Sequence, residues 1–240
     1  MFKSYTISRI LKGGETMKTL VLVLALTFVL SAGCFAVQAT IDMYADNALL
    51  ALPQVPLNPD PNAVFASSGI DPMYNIQRWD MLAQGYVGLD DSGVYGNMLL
   101  GDGFWCAGTA GQTISYEAVP DGVPDGSGNK TDMWISLPGA GLGNGGSAII
   151  GNPFAHSVDV DKGSYSGDHI FFTDGTKLLT WGEACQDPYN WVSPVMTYWA
   201  GFGYDDVWFD NTAGPYQLDP GKGYWIATYR DNLAMIIPAD

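Results

Sequence analysis

The chain has 240 residues, ten of them basic and twenty-five acidic, for a formal charge of −15. From Thr40 onward six basic residues face twenty-four acidic ones, so the charge there steepens to about −18. Such a field repels nucleic acid and anionic membrane, and no Lys/Arg cluster offsets it locally; nucleic-acid binding is excluded.

In chain order, Met17-Lys18 opens an apolar run from Thr19 to Leu30, followed by small residues up to Val37-Gln38-Ala39. One Lys, about a dozen apolar residues and a small-x-small site are the parts of a secretory signal peptide, too short to span a membrane. Lys12-Gly13-Gly14-Glu15-Thr16 is encodable by a purine-rich bacterial ribosome-binding sequence, which makes Met17 the expected start. Residues 1–39 are therefore read as an extension plus signal peptide, cleaved after Ala39. In the competing reading, Ser31-Ala32-Gly33-Cys34 is a lipoprotein box and Cys34 the lipidated terminus. The protein is expected to be secreted, periplasmic or on the bacterial cell surface, with no transmembrane segment after processing.

The rest of the chain repeats itself. Trp79 and Trp105 are 26 residues apart, as are Trp199 and Trp225. Gly101-Asp102-Gly103-Phe104-Trp105 is answered by Gly221-Lys222-Gly223-Tyr224-Trp225, Gly85-Tyr86 by Gly203-Tyr204, and Leu52-Pro53 by Leu137-Pro138. A repeat of this kind predicts two copies of one supersecondary unit. The first copy takes residues 40–120, a Gly-rich connector 121–130, and the second copy 131–240. Phe65 to Trp79 spans 14 residues but Phe154 to Trp199 spans 45, so the second copy carries an insertion, about 155–196, expected to be surface loops and a hairpin.

Twenty-two of the acids are Asp, a turn former, and there are 30 glycines. Strands are predicted at Phe104-Trp105, Thr113–Tyr116, Met133–Leu137, Ser147–Ile150, His169–Thr173, Lys177–Thr180, Met196–Trp199, Asp206–Phe209, Gly223–Tyr229 and Leu233–Ile237. Pro220-Gly221 predicts a tight turn, with proline presetting φ and glycine taking the positive φ that follows. Helical periodicity is weak. The expected fold is all-β: two homologous antiparallel units, sandwich or barrel-like.

Candidate chemistry is sparse. The repeat-matched Trp79, Trp105, Trp199 and Trp225 are expected to fill cores. The unmatched Trp181, Trp191 and Trp208, with Tyr189, lie in or beside the insertion and are the candidate platforms for stacking on sugars. Asp121, Asp125, Asn129 and Asp132 fall at partial calcium-loop spacing, although Val123 occupies a ligand position and no helices flank it, so a polar linker is the competing reading; calcium is the one cofactor suggested. Cys106 and Cys185 are compatible with one disulfide in an exported protein, or with Cys106 as a buried apolar residue. His156, His169, Asp159, Asp161 and Asp168 match no metal pattern. The doublets Asp90-Asp91 and Asp205-Asp206 do not form the facing carboxylates of a glycosidase. No catalytic residue is assigned.

The series Ile135-Ser136-Leu137-Pro138, Asn152-Pro153-Phe154, Trp199 and Pro220-Gly221-Lys222-Gly223-Tyr224-Trp225 resembles a β-rich module of exported bacterial proteins, generally of unassigned function. The resemblance implies an extracellular module and transfers no catalytic residue. The expected function is a surface or extracellular structural and interaction module, with an extracellular protein or polysaccharide as partner. Carbohydrate binding through the insertion is the alternative, and glycan hydrolysis a third reading.

Overall fold

The computed structural model describes residues 36–90, 95–119, 131–141, 143–210, 212 and 216–239. In the first half, β1 (Val37–Asp42) pairs antiparallel with β6 (Thr113–Ala118). A four-stranded sheet runs in the order β2 (Ala48–Ala51), β5 (Gly103–Cys106), β3 (Ile76–Asp80), β4 (Gly85–Gly88). Between β2 and β3 lie two one-turn helices, α1 (Pro61–Val64) and α2 (Pro72–Asn75). Each starts with an Asp-Pro pair: the Asp60 and Asp71 side chains accept the free N–H groups while proline presets the first helical φ. Alternation along the strands turns Ile41, Leu50, Ile76, Phe104, Ile114 and Tyr116 into one apolar cluster between the two sheets.

The second half repeats the plan. One sheet runs β13 (Tyr204–Trp208), β12 (Val192–Trp199), β15 (Gly223–Thr228), β8 (Gly146–Gly151); the other runs β11 (Leu178–Thr180), β10 (Phe171–Thr173), β16 (Leu233–Ile237), β7 (Met133–Leu137). A short pair, β9 (Val158–Asp159) with β14 (Gln217–Leu218), closes one side. A second cluster, including Ile135, Ile150, Phe172, Met196, Val207, Tyr224, Ile226 and Met235, fills the space between the large sheets. The fold is all-β and sandwich-like, with antiparallel sheets and no closed barrel.

Register makes the correspondence between the halves specific. Trp105 lies between Leu49 and Gln77, and Trp225 between Ile149 and Thr197. Trp79 is opposite Tyr86, and Trp199 opposite Tyr204. The turns before the GxW strands also match: Gly101 and Gly221 have φ of 83° and 79°, the left-handed region that costs glycine no Cβ clash.

Contacts between the halves are reciprocal. Leu50 bridges Lys222 while Ile150 bridges Asp102, and Ala51 N–H donates to Gly221 O (3.1 Å) while Gly151 N–H donates to Gly101 O (2.8 Å). This is the pattern of an isologous interface, with one surface used twice. Leu49 and Ile149 belong to neither apolar cluster yet are 0% and 1% exposed, because they are buried between the two central sheets. A Cβ on Gly151 would lie 2.0 Å from that of Ala51, so this closest approach requires glycine.

Three expectations change. β1 begins at Val37 and Ala39 is buried opposite Tyr116, so the first half starts before Thr40, and cleavage after Ala39 would remove three residues of the strand. The insertion is not surface decoration: β10 pairs with β16, and Phe172 and Trp181 enter the second core. The β1, β2, β3 and β4 strands have no counterpart among the expected elements: each is only four to six residues long, β2 is apolar throughout, β3 has a single buried residue, and glycines end β4 on both sides. Residues 1–35, including Met17 and Cys34, and the connector 121–130 lie outside the described residues.

Candidate functional site

The four repeat-matched tryptophans do not fill cores. Each is half-buried and outside both apolar clusters, because it projects from the central sheet's other face. Together they form an aromatic layer between the halves. Trp79 meets Trp225 edge to face at 4.9 Å, and Trp105 meets Trp199 at 6.0 Å. Tyr86 and Tyr204 extend the layer at 5.1 Å from Trp79 and 5.3 Å from Trp199. Trp79 Nε1 donates to Ser147 O and Trp105 Nε1 to the Tyr86 hydroxyl. Rings that satisfy one another in this way hold two sheets together and leave few faces open for a ligand.

The predicted platform residues separate. Trp181 is fully buried: it opens the one-turn helix α3 (Trp181–Ala184), and its Nε1 donates to Ser193 O at 2.8 Å. A capping box fixes that helix, with Thr180 Oγ1 accepting Glu183 N–H and the Glu183 carboxylate accepting Thr180 N–H. Trp191 is 3% exposed and covered by the Arg230 guanidinium, 5.0 Å from its ring centroid. Neither can stack on a sugar, so the expectation for both is corrected: they complete the second core. Trp208 is half-buried on the face of β13 that also carries Tyr204, while the buried Val207 points to the other face. Tyr189 lines a cavity.

That cavity, about 670 Å³, is lined by Tyr165, Tyr189 and Phe209 together with Asp168, Glu183, Asp187 and Asp210. The loop on one side is pinned from beneath. Asp161, 4% exposed, accepts the N–H groups of Gly163, Tyr165, Ser166 and Gly167 and the hydroxyl of Ser164. Burial alone would raise its pKa, but the backbone donors from Tyr165, Ser166, Gly167 and Gly163 outweigh that and hold the carboxyl well below its usual range. The pinned loop holds Tyr165 at φ 58°, a conformation rare for a bulky residue, and leaves the residue 63% exposed. Behind the cavity, burial pushes the Cys185 thiol up to about 11, with the Asp210 charge adding to the rise.

Tyr165, Phe209 and the four carboxylates come together only through the fold. The one sequence signal was an excess of Asp beside exposed-type aromatics in the insertion. Smaller clefts lie at the seams between the halves: one of about 300 Å³ includes Arg78, Asp102 and Ser136, and one of about 380 Å³ includes Asp42, Tyr44 and Lys222.

The remaining candidates find local roles. Asp132 Oδ1 accepts Ala239 N–H, while Asp121, Asp125 and Asn129 lie outside the described residues. Cys106 and Cys185 are unbonded, which corrects the disulfide expectation: Cys106 is buried in the first core between Ala48 and Ile76, and Cys185 ends α3 against the second. Among the described residues no group of three or more His, Cys, Asp or Glu side chains is placed to hold a metal ion. Asp159 accepts from Gln217, and Asp161 is engaged by its own loop. Asp205 accepts from the Tyr198 hydroxyl at 3.4 Å, while its neighbour Asp206 projects from the opposite face of β13; Asp91 lies outside the described residues. No helix of the described residues is long and apolar enough to cross a membrane.

No protein-family model, no curated protein and no solved structure matches this chain.

Proposed function

We propose that this protein is an exported, non-catalytic interaction module. In this reading a duplicated β unit forms the scaffold, the tryptophan layer fastens the copies, and the insertion of the second copy faces the ligand. The observation that carries the reading is the division of the aromatic residues. Those shared by the halves pack on one another, whereas Tyr165, Tyr189 and Phe209 surround an open cavity in the second half. Duplication is supported by equal strand order, equal Trp–Tyr register and reciprocal contacts. Export is supported by the apolar run after Lys18, with processing before Val37 so that β1 stays whole. The acidic surface and the resemblance to exported β modules agree with both.

Carbohydrate binding is the second reading, favoured by the three rings around the cavity. Retention of the processed protein on insoluble polysaccharides and on cell-envelope preparations, with product analysis of the same glycans, tests both readings. Retention without product is expected, and loss of retention in Tyr165→Ala. Glycan turnover abolished by neutralising one cavity carboxylate would establish a hydrolase instead. Retention that ignores Tyr165 would remove the insertion from the binding surface.

A further inference from the structure

We infer that the insertion cavity takes an organic cation, an ammonium centre carried on an apolar carbon frame. This rests on reading the insertion as the ligand-facing region and adds the charge and hydrogen-bonding character of the ligand. The lining carries four carboxylates and no Lys or Arg side chain. Each of its four carboxylates is held through one oxygen: Asp168 by Lys162 N–H, Glu183 by Thr180, Asp187 by the Asn190 side chain, and Asp210 by Thr212. Among the described residues the second oxygen of each has no donor, and no basic side chain pairs with any of them. The Ser166 and Thr180 hydroxyls are engaged, with Ser164 and Glu183, while the Tyr165 and Tyr189 hydroxyls and the Gln186 amide add donors that carry no positive charge. An ammonium, with three donors and no acceptor, complements such a lining; an anion is repelled.

The walls define the rest of the ligand. Tyr165, Tyr189 and Phe209 offer ring surface to carbon, and rings of this kind attract cations through their faces. One ring already does so: the Lys177 ammonium sits 4.8 Å from the Tyr189 centroid. A bare metal ion is a poorer fit, because the acids do not converge on one point among the described residues. Separated charges in a cavity of about 670 Å³ suit an extended cation. A free polyamine and the amino sugars of a de-acetylated glycan share this chemistry.

Calorimetry on the processed protein, with spermine, a glucosamine oligomer and an N-acetylglucosamine oligomer as probes, tests the inference. Binding of at least one amine-bearing probe is expected, weakening at least about tenfold as the screening length falls from roughly 10 Å to 3 Å. The Asp187→Asn/Asp210→Asn double variant, folded by circular dichroism, should lose about tenfold in affinity, and Tyr165→Ala should weaken binding separately. Tighter binding of the glucosamine oligomer than of spermine assigns the ammonium to a glycan, and the reverse to a free amine. Equal binding of the acetylated oligomer overturns the cation while leaving the interaction module standing. No amine binding at about 1 mM, a level worth only about 4 kcal/mol, or binding unchanged in both variants, overturns the inference; the retention experiment then judges the module independently.

Discussion

The two halves share a strand plan but stabilise it differently. The first is the minimal unit: its outer sheet is the β1–β6 pair, and its core closes with Phe65, Tyr95 and Phe104. The second adds β10 and β11 to the free side of β16, widening the outer sheet to four strands and bringing in Trp181. Corresponding positions also differ. Arg78 pairs with Asp102 in the first half, whereas Lys222 lies 4.7 Å from the Tyr198 ring in the second. Trp79 Nε1 reaches Ser147 O, but the buried Nε1 of its counterpart Trp199 has no partner among the described residues. Two halves with one strand plan can therefore share geometry while their polar contacts, and the elements attached to their edges, differ.

The sharpest way to break this comparison is Trp181→Ala. If the insertion supports the second core, removing that side chain and its bond to Ser193 costs about 3–5 kcal/mol in denaturant unfolding. A loss below about 1 kcal/mol would make the insertion an ornament on a self-sufficient second half. Asp161→Asn is next, at about 1.5–3 kcal/mol for the lost charge-assisted bonds. Its pH dependence has a definite sign. The folded carboxyl has a pKa below the unfolded value, so its stabilisation is complete above about pH 4 and disappears as pH falls through the depressed folded value. The variant should show a flatter stability profile below pH 4 than the parent, and identical slopes would refute the assignment.

A finer comparison uses the two equivalent indoles. Trp79→Phe loses a bonded N–H and should cost about 1 kcal/mol more than Trp199→Phe, which removes an unpaired one. Equal costs in paired urea titrations would mean that Trp199 gains a partner in solution. The smallest effect is expected at Tyr165. Replacing this exposed residue by Gly should change stability by no more than about 0.5 kcal/mol, since relief at φ 58° offsets the added chain entropy. A large loss would show that the ring supports the loop and is not held out for a ligand.

Much of the plan was legible in the residues. The turn before each GxW strand followed from glycine at positive φ, and β7, β15 and β16 from aromatic and β-branched alternation bounded by turns. The role of the four paired tryptophans was not. Alternation places Trp105 on the face opposite Phe104, but whether that face meets solvent or another sheet depends on the other half of the chain. The cavity was hidden for a similar reason. Asp168, Asp187 and Asp210 read singly as turn formers, and each does hold a local turn or side chain with one oxygen. Their other oxygens become a common lining only after β10, α3 and the turn after β13 have packed together.

The sequence by itself determined the all-β class, the recurring Gly-x-Trp strand with its turn, and the acidic field, because these rest on local backbone preference and on summed charge. Only the tertiary structure decided that the tryptophans join the halves, that Trp181 and Trp191 are core, that the two thiols stay apart, and that four carboxylates share one cavity. Those outcomes depend on contacts between residues distant in the chain, whose separations no one-dimensional pattern encodes.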